Sequence, residues 1–558
     1  MSDKTNYSIG VDYGSNSVRC VVVNLADGSE CGSAVFNYPT GDKGVLTDPK
    51  NPHVARQNPQ DFIDGLAATI VPALQQAESV PGFSRESVVG IGVDTTGSTP
   101  IPVDETLTPL SLKPEFSGNL NAQAWMWKDH TGMDEAEKIT TLASEHRPQF
   151  LAKCGGTYSS EWFFSKLWHC LNVDPAVFDA AYSWVEFADF IPAVLCGITR
   201  PEDVKCGICA AGHKAMFCDE WGGLPDAEFL GMLDPKIAAL RSRLCQSARP
   251  ASEAAGRLSD AWATKLGLPA GIAVAVGAFD AHLGAVGAGV SEGTMVKIVG
   301  TSTCDILVAP ADRKLPDIPG VCGIVNGSVL PDCYGIEAGQ SAVGDIFNWF
   351  VSYICDGDAD VHGLLTEQAT ALKPGESGLL ALDWNNGNRT ILVDPRLTGL
   401  IIGQTLHTTR AEIYRALIEA TAFGARRILD RIEEYGVEVG EVVNCGGIAE
   451  KNPLFMQIYA DVLGRPMKIS ASAQTCALGS AIMGAVAAGA DAGGFSCVED
   501  AQSAICSYKD TVFSPIAENR AVYEELYAVY CELHDSFGVA CTNFDHAKAM
   551  KRLLEISL

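Results

Sequence analysis

Two short segments, far apart in the chain, repeat one device. Ile9-Gly10-Val11-Asp12-Tyr13-Gly14-Ser15-Asn16-Ser17 runs on into the apolar Val18–Val23. Lys297-Ile298-Val299-Gly300-Thr301-Ser302-Thr303 runs on into Cys304–Val308. Each is an apolar strand, a tight turn of Gly and hydroxyl residues, and a second apolar strand. Such a turn gathers backbone N–H groups and hydroxyls in one concavity, which suits phosphate oxygens. Two of them predict two related halves that grip one polyphosphate from opposite sides. On this reading the chain uses ATP.

The chain has 558 residues, more than one core usually holds, so at least two domains are expected. A hydrophobic fraction of 47% and a charged fraction of 19% fit an ordinary folded protein. The net charge of −28 opposes nucleic acid and anionic membrane. An anionic ligand must then be held by local N–H groups and a metal ion. The polar N-terminus has no signal-peptide core, and Cys476–Ala490 is shorter than the ~20 residues of a membrane span. The 19 cysteines, without an export signal, fit reduced thiols and a cytoplasmic protein.

Strands and helices alternate along the N-terminal part. Tyr7–Gly14 and Val18–Leu25 form a hairpin. Gln60–Gln76 has the apolar spacing of a helix. Val88–Asp94 reads as a buried strand that ends in the Thr95–Thr99 turn. Gly14 and Gly97 therefore sit at strand ends, where open α/β sheets bind ligands. The aromatic-rich stretch from Phe116 to Gly223 is expected to be an inserted layer that faces the substrate. A Gly-rich boundary lies near Gly287–Gly293 and separates domains of residues 7–289 and 290–558. Beyond it come a helix over Thr409–Tyr435, a strand Val442–Cys445 and a helix opened by Asn452-Pro453. Thr475–Ala488 is a helix of small residues that can approach another backbone closely. Ala517–Phe537 is an amphipathic helix expected to pack on the outside.

The dipeptide Gly-Lys is absent, so there is no P-loop lysine. Phosphate binding must use the paired hairpins. Asp12 ends an apolar strand just before Gly14. It either bonds its own turn or holds Mg²⁺ through water, since Mg²⁺ dehydrates reluctantly. The second hairpin favours the metal role. Asp280 follows the apolar strand Ala273–Phe279 and starts a helix. It is either a helix cap or a general base that orients a substrate hydroxyl toward a phosphoryl group. Gly446-Gly447 with Asn452 lets a flat ligand near the backbone, or is an ordinary turn. Cys206-Gly207-Ile208-Cys209 with His213 and Cys218 resembles half a zinc site, but a structural zinc needs four ligands. His130, His169, His213 and His282 read as hydrogen-bonded side chains. The tryptophans read mostly as core.

Taken together, several segments resemble the FGGY family of carbohydrate kinases. They include Gly10–Arg19, Gly92–Pro100, Trp127–Thr131, Ser159–Phe163, Ala211–Lys214, Trp221–Pro225, Gly277–His282, Gly300–Asp305, Glu337–Ala342, Gly446–Asn452 and Ala477–Gly479. The resemblance runs from about residue 7 to about residue 535. It implies an α/β fold of two actin-like (ribonuclease H-like) ATPase domains with a cleft between them. The implied substrates are a small sugar and ATP with Mg²⁺. No nucleic-acid or membrane partner is expected, and a homodimer is compatible. Trp127–Thr131, Ala211–Lys214 and Gly300–Asp305 point within the family to members that act on L-ribulose in arabinose breakdown. The implied reaction makes L-ribulose 5-phosphate. The alternatives are another ketopentose or pentitol (D-ribulose, D-xylulose, ribitol) and, remotely, an actin-like ATPase with no sugar.

By the same resemblance Asp280 is the catalytic base. Gly97, Trp127, Lys205, Asp280 and Glu337 match positions near the sugar. Asp12, Gly14, Ser15, Gly300, Thr301, Gly344, Asn348, Gly447 and Asn452 match positions around the nucleotide and its metal. Lys166-Leu167-Trp168-His169 departs from the family spacing, so Lys166 receives no role.

Overall fold

The computed structural model describes residues 5–539 and 546. The final part of the expected second domain therefore lies outside the described residues. Two mixed sheets organise the molecule. The first contains β1 (Tyr7–Tyr13), β2 (Ser17–Asn24), β3 (Glu30–Asn37), β4 (Val88–Thr95), β5 (Ala254–Arg257) and β6 (Ala273–Ala275), in the order β5-β6-β4-β1-β2-β3. A short β7 (Ala278–Phe279) also pairs with β4. The second contains β8 (Thr294–Val299), β9 (Thr303–Pro310), β10 (Gly323–Asn326), β11 (Cys333–Ala338), β12 (Glu441–Cys445) and β13 (Met467–Ile469). Its order is β10-β11-β9-β8-β12-β13. In both, an antiparallel hairpin (β1–β2, β8–β9) is flanked by a parallel strand, β4 or β12. The device seen twice in the sequence is thus the leading edge of one topology used twice.

Every residue of β1 is buried, as is nearly every residue of β4. Both faces of these strands are covered, so even Ser8, Gly10 and Asp12, which alternate with the apolar residues of β1, are buried. Helix α1 (Pro59–Ala77) packs on β2 and β3 and is capped by the Asn58 side chain. Helix α2 (Phe163–Val173) lies in the aromatic-rich insertion. There Trp125, Phe150, Tyr158, Trp162, Phe164, Trp168 and Trp184 form a core of their own. Helix α3 (Ile208–Ala215) carries His213 and Lys214, and α4 (Asp280–Gly287) starts at Asp280. Helix α5 (Gly344–Trp349) follows β11.

Helix α6 (Arg410–Glu434) opens with a capping box between Thr409 and Glu412. The Asn452 side chain caps α7 (Pro453–Leu463), with Pro453 in its first turn. Helix α8 (Thr475–Ala488) crosses back onto the first sheet. A Cβ on Gly10 would sit 1.7 Å from the Ala477 carbonyl oxygen, and one on Gly92 1.8 Å from that of Ser480. The small residues of α8 and these strand glycines bring backbone against backbone, as the composition of α8 predicts. Helix α9 (Ala517–Gly538) is an amphipathic helix on the outside of the fold, as its sequence predicts. It buries Tyr523, Tyr527, Tyr530 and His534. The Tyr523 hydroxyl donates to Glu419 at 2.9 Å and that of Tyr530 to Asp383 at 2.9 Å.

Among the described residues no helix is long and apolar enough to cross a membrane. Their cysteines are all free. The half zinc site does not assemble. Cys209 is buried in an apolar cluster, Cys206 faces the Cys245 thiol, and His213 turns to His282 and Glu337.

Candidate active site

Three carboxylates meet where β1, β4 and β7 end. The register is the cause, because Asp12 lies beside Asp94 and Asp94 beside Ala278, two residues before Asp280. Asp12 is buried, and its nearest cation is Arg19 across the hairpin at 3.5 Å. Asp94 is fully buried, with one oxygen accepting from the Ser480 hydroxyl of α8 at 2.6 Å and its carboxyl sharing a hydrogen bond with Asp12. Burial raises the pKa of Asp12. Burial and then the Asp12 charge raise that of Asp94 well above the usual carboxylate range. Asp280 is half-buried at the start of α4, and its Oδ1 accepts from the Ala281 N–H at 2.7 Å. Burial first and Asp12 second push it up to about 7. Such a group gains a proton easily near neutrality, which suits a general base. The adjacent Asp12 and Asp94 carboxyls suit a hard cation held through water, while Asp280 does not close a three-ligand set with them.

Asp94 was not among the residues expected here from sequence. The signal was present: Ile9-Gly10-Val11-Asp12 recurs as Ile91-Gly92-Val93-Asp94, and the two copies pair in register.

Beyond the carboxylates lies a second polar cluster. Glu337 on β11 accepts two hydrogen bonds from the Lys214 ammonium, each 3.0 Å. His213 Nδ1 stands 3.4 Å and His282 Nε2 3.8 Å from the same carboxylate. Burial alone would raise the Glu337 pKa, but the Lys214 charge outweighs it and keeps the group ionised. The imidazoles contact each other at 3.1 Å, and burial lowers both pKa values, so both are neutral. Lys214 and His282 belong to helices beside the first sheet and Glu337 to the second sheet. The cluster therefore bridges the two halves.

Two other expected sugar residues border this space. Gly97 is pressed against the residue before Asp280: a Cβ there would sit 1.7 Å from the Phe279 ring. The Trp127 indole N–H donates to the Ser15 hydroxyl at 3.0 Å, which ties the insertion to the first hairpin turn. Lys205 is not brought to this space. It is exposed, and its ammonium bonds the Ala254 carbonyl at the sheet edge, 3.0 Å away. It precedes α3, whereas the cation that reaches Glu337 is Lys214, inside α3. Sequence spacing could not separate the two, although Lys214 lies in the Ala211–Lys214 segment. Lys166, given no role above, is fully buried and donates to the Ser98 carbonyl at 2.7 Å.

The nucleotide-side residues gather mainly at the second hairpin. The Gly300 carbonyl accepts from the Gly344 N–H at 3.2 Å, and that of Thr301 from Val343 at 2.8 Å and Asp345 at 3.1 Å. The turn is thereby seated on the start of α5, and Asn348 follows one turn later, exposed. A Cβ on Gly344 would lie 2.5 Å from the Gly300 oxygen and 2.8 Å from Ile448. Gly446 has φ 101° and no room for a Cβ, which would meet the Val299 oxygen at 2.2 Å; beside it Gly447 faces open space. The Asn452 side chain accepts from the Phe455 N–H at 3.0 Å, so its oxygen serves the helix. One detail of the hairpins differs from expectation. The N–H groups of Gly14 and Gly300 close their own turns, on Ser17 and Ser302, each at 2.9 Å. Donors for a phosphate must come from the residues that follow them.

Residues 7–287 match the model of the FGGY carbohydrate kinase N-terminal domain, and residues 295–488 that of the C-terminal domain. A ribulokinase of Vibrio parahaemolyticus is 42% identical over 548 residues, spanning 94% of this chain and 95% of its own. One from Halalkalibacterium halodurans is 42% identical over 567 residues, 99% and 98% of the two chains. Among solved structures, a xylulose kinase from Rhodospirillum rubrum superposes with a TM-score of 0.79. It is 23% identical and covers 95% of this chain and 98% of its own. A Plasmodium falciparum glycerol kinase with ADP gives a TM-score of 0.75 at 15% identity, covering 96% and 99%. These structures share the two-lobed actin-like fold seen here. With both halves matched by family models and near-full-length relatives above 40% identity, the chain belongs to the FGGY family of carbohydrate kinases.

Proposed function

We propose that this kinase transfers the γ-phosphoryl group of ATP to the terminal hydroxyl of L-ribulose, giving L-ribulose 5-phosphate. The observation that carries the reading is the placing of Asp280. It stands between the carboxylate cluster of Asp12 and Asp94 and the polar Lys214–Glu337 cluster. The relatives named ribulokinase, similar along nearly the whole chain, support the choice of sugar. Residues 7–289 form the sugar-binding half and residues 290–558 the nucleotide-binding half.

The residues divide the work. Glu337 and Lys214 offer an acceptor and a donor to sugar hydroxyls, with Gly97 and Trp127 along the wall. Asp280 orients the terminal hydroxyl and takes its proton as the oxygen attacks. The Ser15 and Thr301 turns meet phosphate oxygens with backbone N–H groups and hydroxyls. Gly344, Asn348, Gly447 and Asn452 border the rest of the nucleotide. Asp12, with Asp94 beside it, would hold Mg²⁺ through water, and the ion supplies charge neutralisation for the phosphates. A cleft bridged by its own polar cluster excludes water when filled, which limits wasteful hydrolysis of ATP.

The test is the product. With L-ribulose and Mg·ATP, phosphorus–proton correlation NMR should place the new phosphate on C5. A phosphate on another carbon, or none on the sugar, would contradict the assignment.

A further inference from the structure

Lys166 lies on α2, in the insertion, with its ammonium sealed from solvent. It donates to the Ser98 carbonyl at 2.7 Å, to that of Met126 at 2.9 Å and, more loosely, to that of Trp125 at 3.5 Å. A lysine ammonium has three donors and no acceptor, so three carbonyls are a complete set of partners. Those carbonyls come from two separate segments. Ser98 follows Gly97 in the turn after β4, and Met126 precedes Trp127.

The first segment is also held from its other side. Glu186 accepts from the Ser98 hydroxyl and, at 2.9 Å, from the Thr99 N–H. Lys166 and Glu186 face this turn from opposite sides; burial pushes the lysine down to about 7, while each favours the other's charge. Both segments then lead to reacting groups. Gly97 rests on the Phe279 ring, one residue from Asp280, and Trp127 reaches Ser15 in the phosphate-facing turn. One buried cation thus sets the spacing of two walls that are otherwise unconnected in sequence.

We propose that Lys166 is a positioning residue for the phosphoryl transfer: it fixes the Gly97–Thr99 turn and the Trp127 segment in one frame, so that the sugar presents its hydroxyl to Asp280. The inference rests on the sugar-kinase reading above. It differs from a general stabilising role because the disturbance is aimed at the sugar wall and not at the nucleotide corner around Gly300, Gly344 and Gly447.

The experiment compares wild type, Lys166→Met and the double variant Lys166→Met/Glu186→Gln, with KM for L-ribulose, KM for Mg·ATP, kcat and thermal midpoint for each. Lys166→Met should raise the sugar KM by ~10-fold or more and lower kcat, since an ångström of misplacement can cost ~10²-fold. Its KM for Mg·ATP should stay within about twofold of wild type, an unchanged nucleotide contact leaving that constant alone. The double variant removes the unpaired buried carboxylate. It should regain thermal stability while keeping the raised sugar KM. Equal changes in both KM values, recovery of the sugar KM in the double variant, or failure of both variants to fold would each overturn the proposal. Wild type without sugar phosphorylation would instead overturn the functional reading beneath it.

Discussion

At the scale of single residues, Asp280 is where structure and chemistry conflict most usefully. Its ionised form is disfavoured by burial and by Asp12, and the base role proposed for it needs that form. Asp280→Asn should therefore lower kcat by ~10²–10⁴, the usual share of general-base catalysis, measured with saturating sugar and Mg·ATP. The same substitution should raise the thermal midpoint of the ligand-free protein at pH 8. The sign follows from linkage: the folded pKa, about 7, is above the unfolded carboxylate value, so folding favours the protonated form. Stability from this group is present at low pH and is lost as pH rises through about 7, and the amide removes that loss. For activity the sign reverses, and the acid limb of kcat/KM for the sugar should fall near pH 7, well above an ordinary carboxylate. Lysines give a sharper contrast. Lys214→Met should raise the sugar KM by ~10-fold or more, because Glu337 loses its buried partner. Lys205→Met should leave the sugar KM within about twofold, as expected of an exposed surface change. The difference could not be read from sequence, since it depends on whether the segment before α3 or the helix itself carries a cation to β11.

At the scale of elements, much was legible because the signals are local. The β1–β2 and β8–β9 hairpins, the Asn452–Pro453 start of α7 and the whole span of α8 follow from turn residues, caps and small-residue runs. Asp94 was hidden for the opposite reason: its importance comes from parallel pairing with β1 across an intervening helix, although the repeated Ile-Gly-Val-Asp marks it. The partners of the buried α9 tyrosines were also illegible, because they find Glu419 and Asp383 only in three dimensions. The α8 contact makes a clear prediction. Gly10→Ala places a methyl against the Ala477 carbonyl with no flexible neighbour to yield. Overpacking of this kind costs ~1–3 kcal/mol or more. At ~2–4 °C per kcal/mol for domains of this size, calorimetry should show the midpoint falling by several degrees. An unchanged midpoint would mean that α8 does not sit on β1 as described.

At the scale of the whole molecule, two sheets of one topology face a shared set of polar groups, and the chain crosses between them more than once. Glu337 of the second sheet is paired with Lys214 beside the first, and α8 returns from the second half to lie on β1 and β4. A sugar that engages Glu337 and Lys214 together would touch both halves at once, which couples its binding to closure. The net charge of −28 is consistent with a nucleotide that arrives as its metal complex. The central claim is that this shared cleft moves a phosphoryl group to a sugar and not to water or to a protein. The most direct measurement is coupled ADP release with L-ribulose, D-ribulose, D-xylulose, ribitol and no sugar, at fixed Mg·ATP. Turnover should be fastest with L-ribulose and near zero without sugar; equal turnover with no sugar, or none with any of the four, would contradict it.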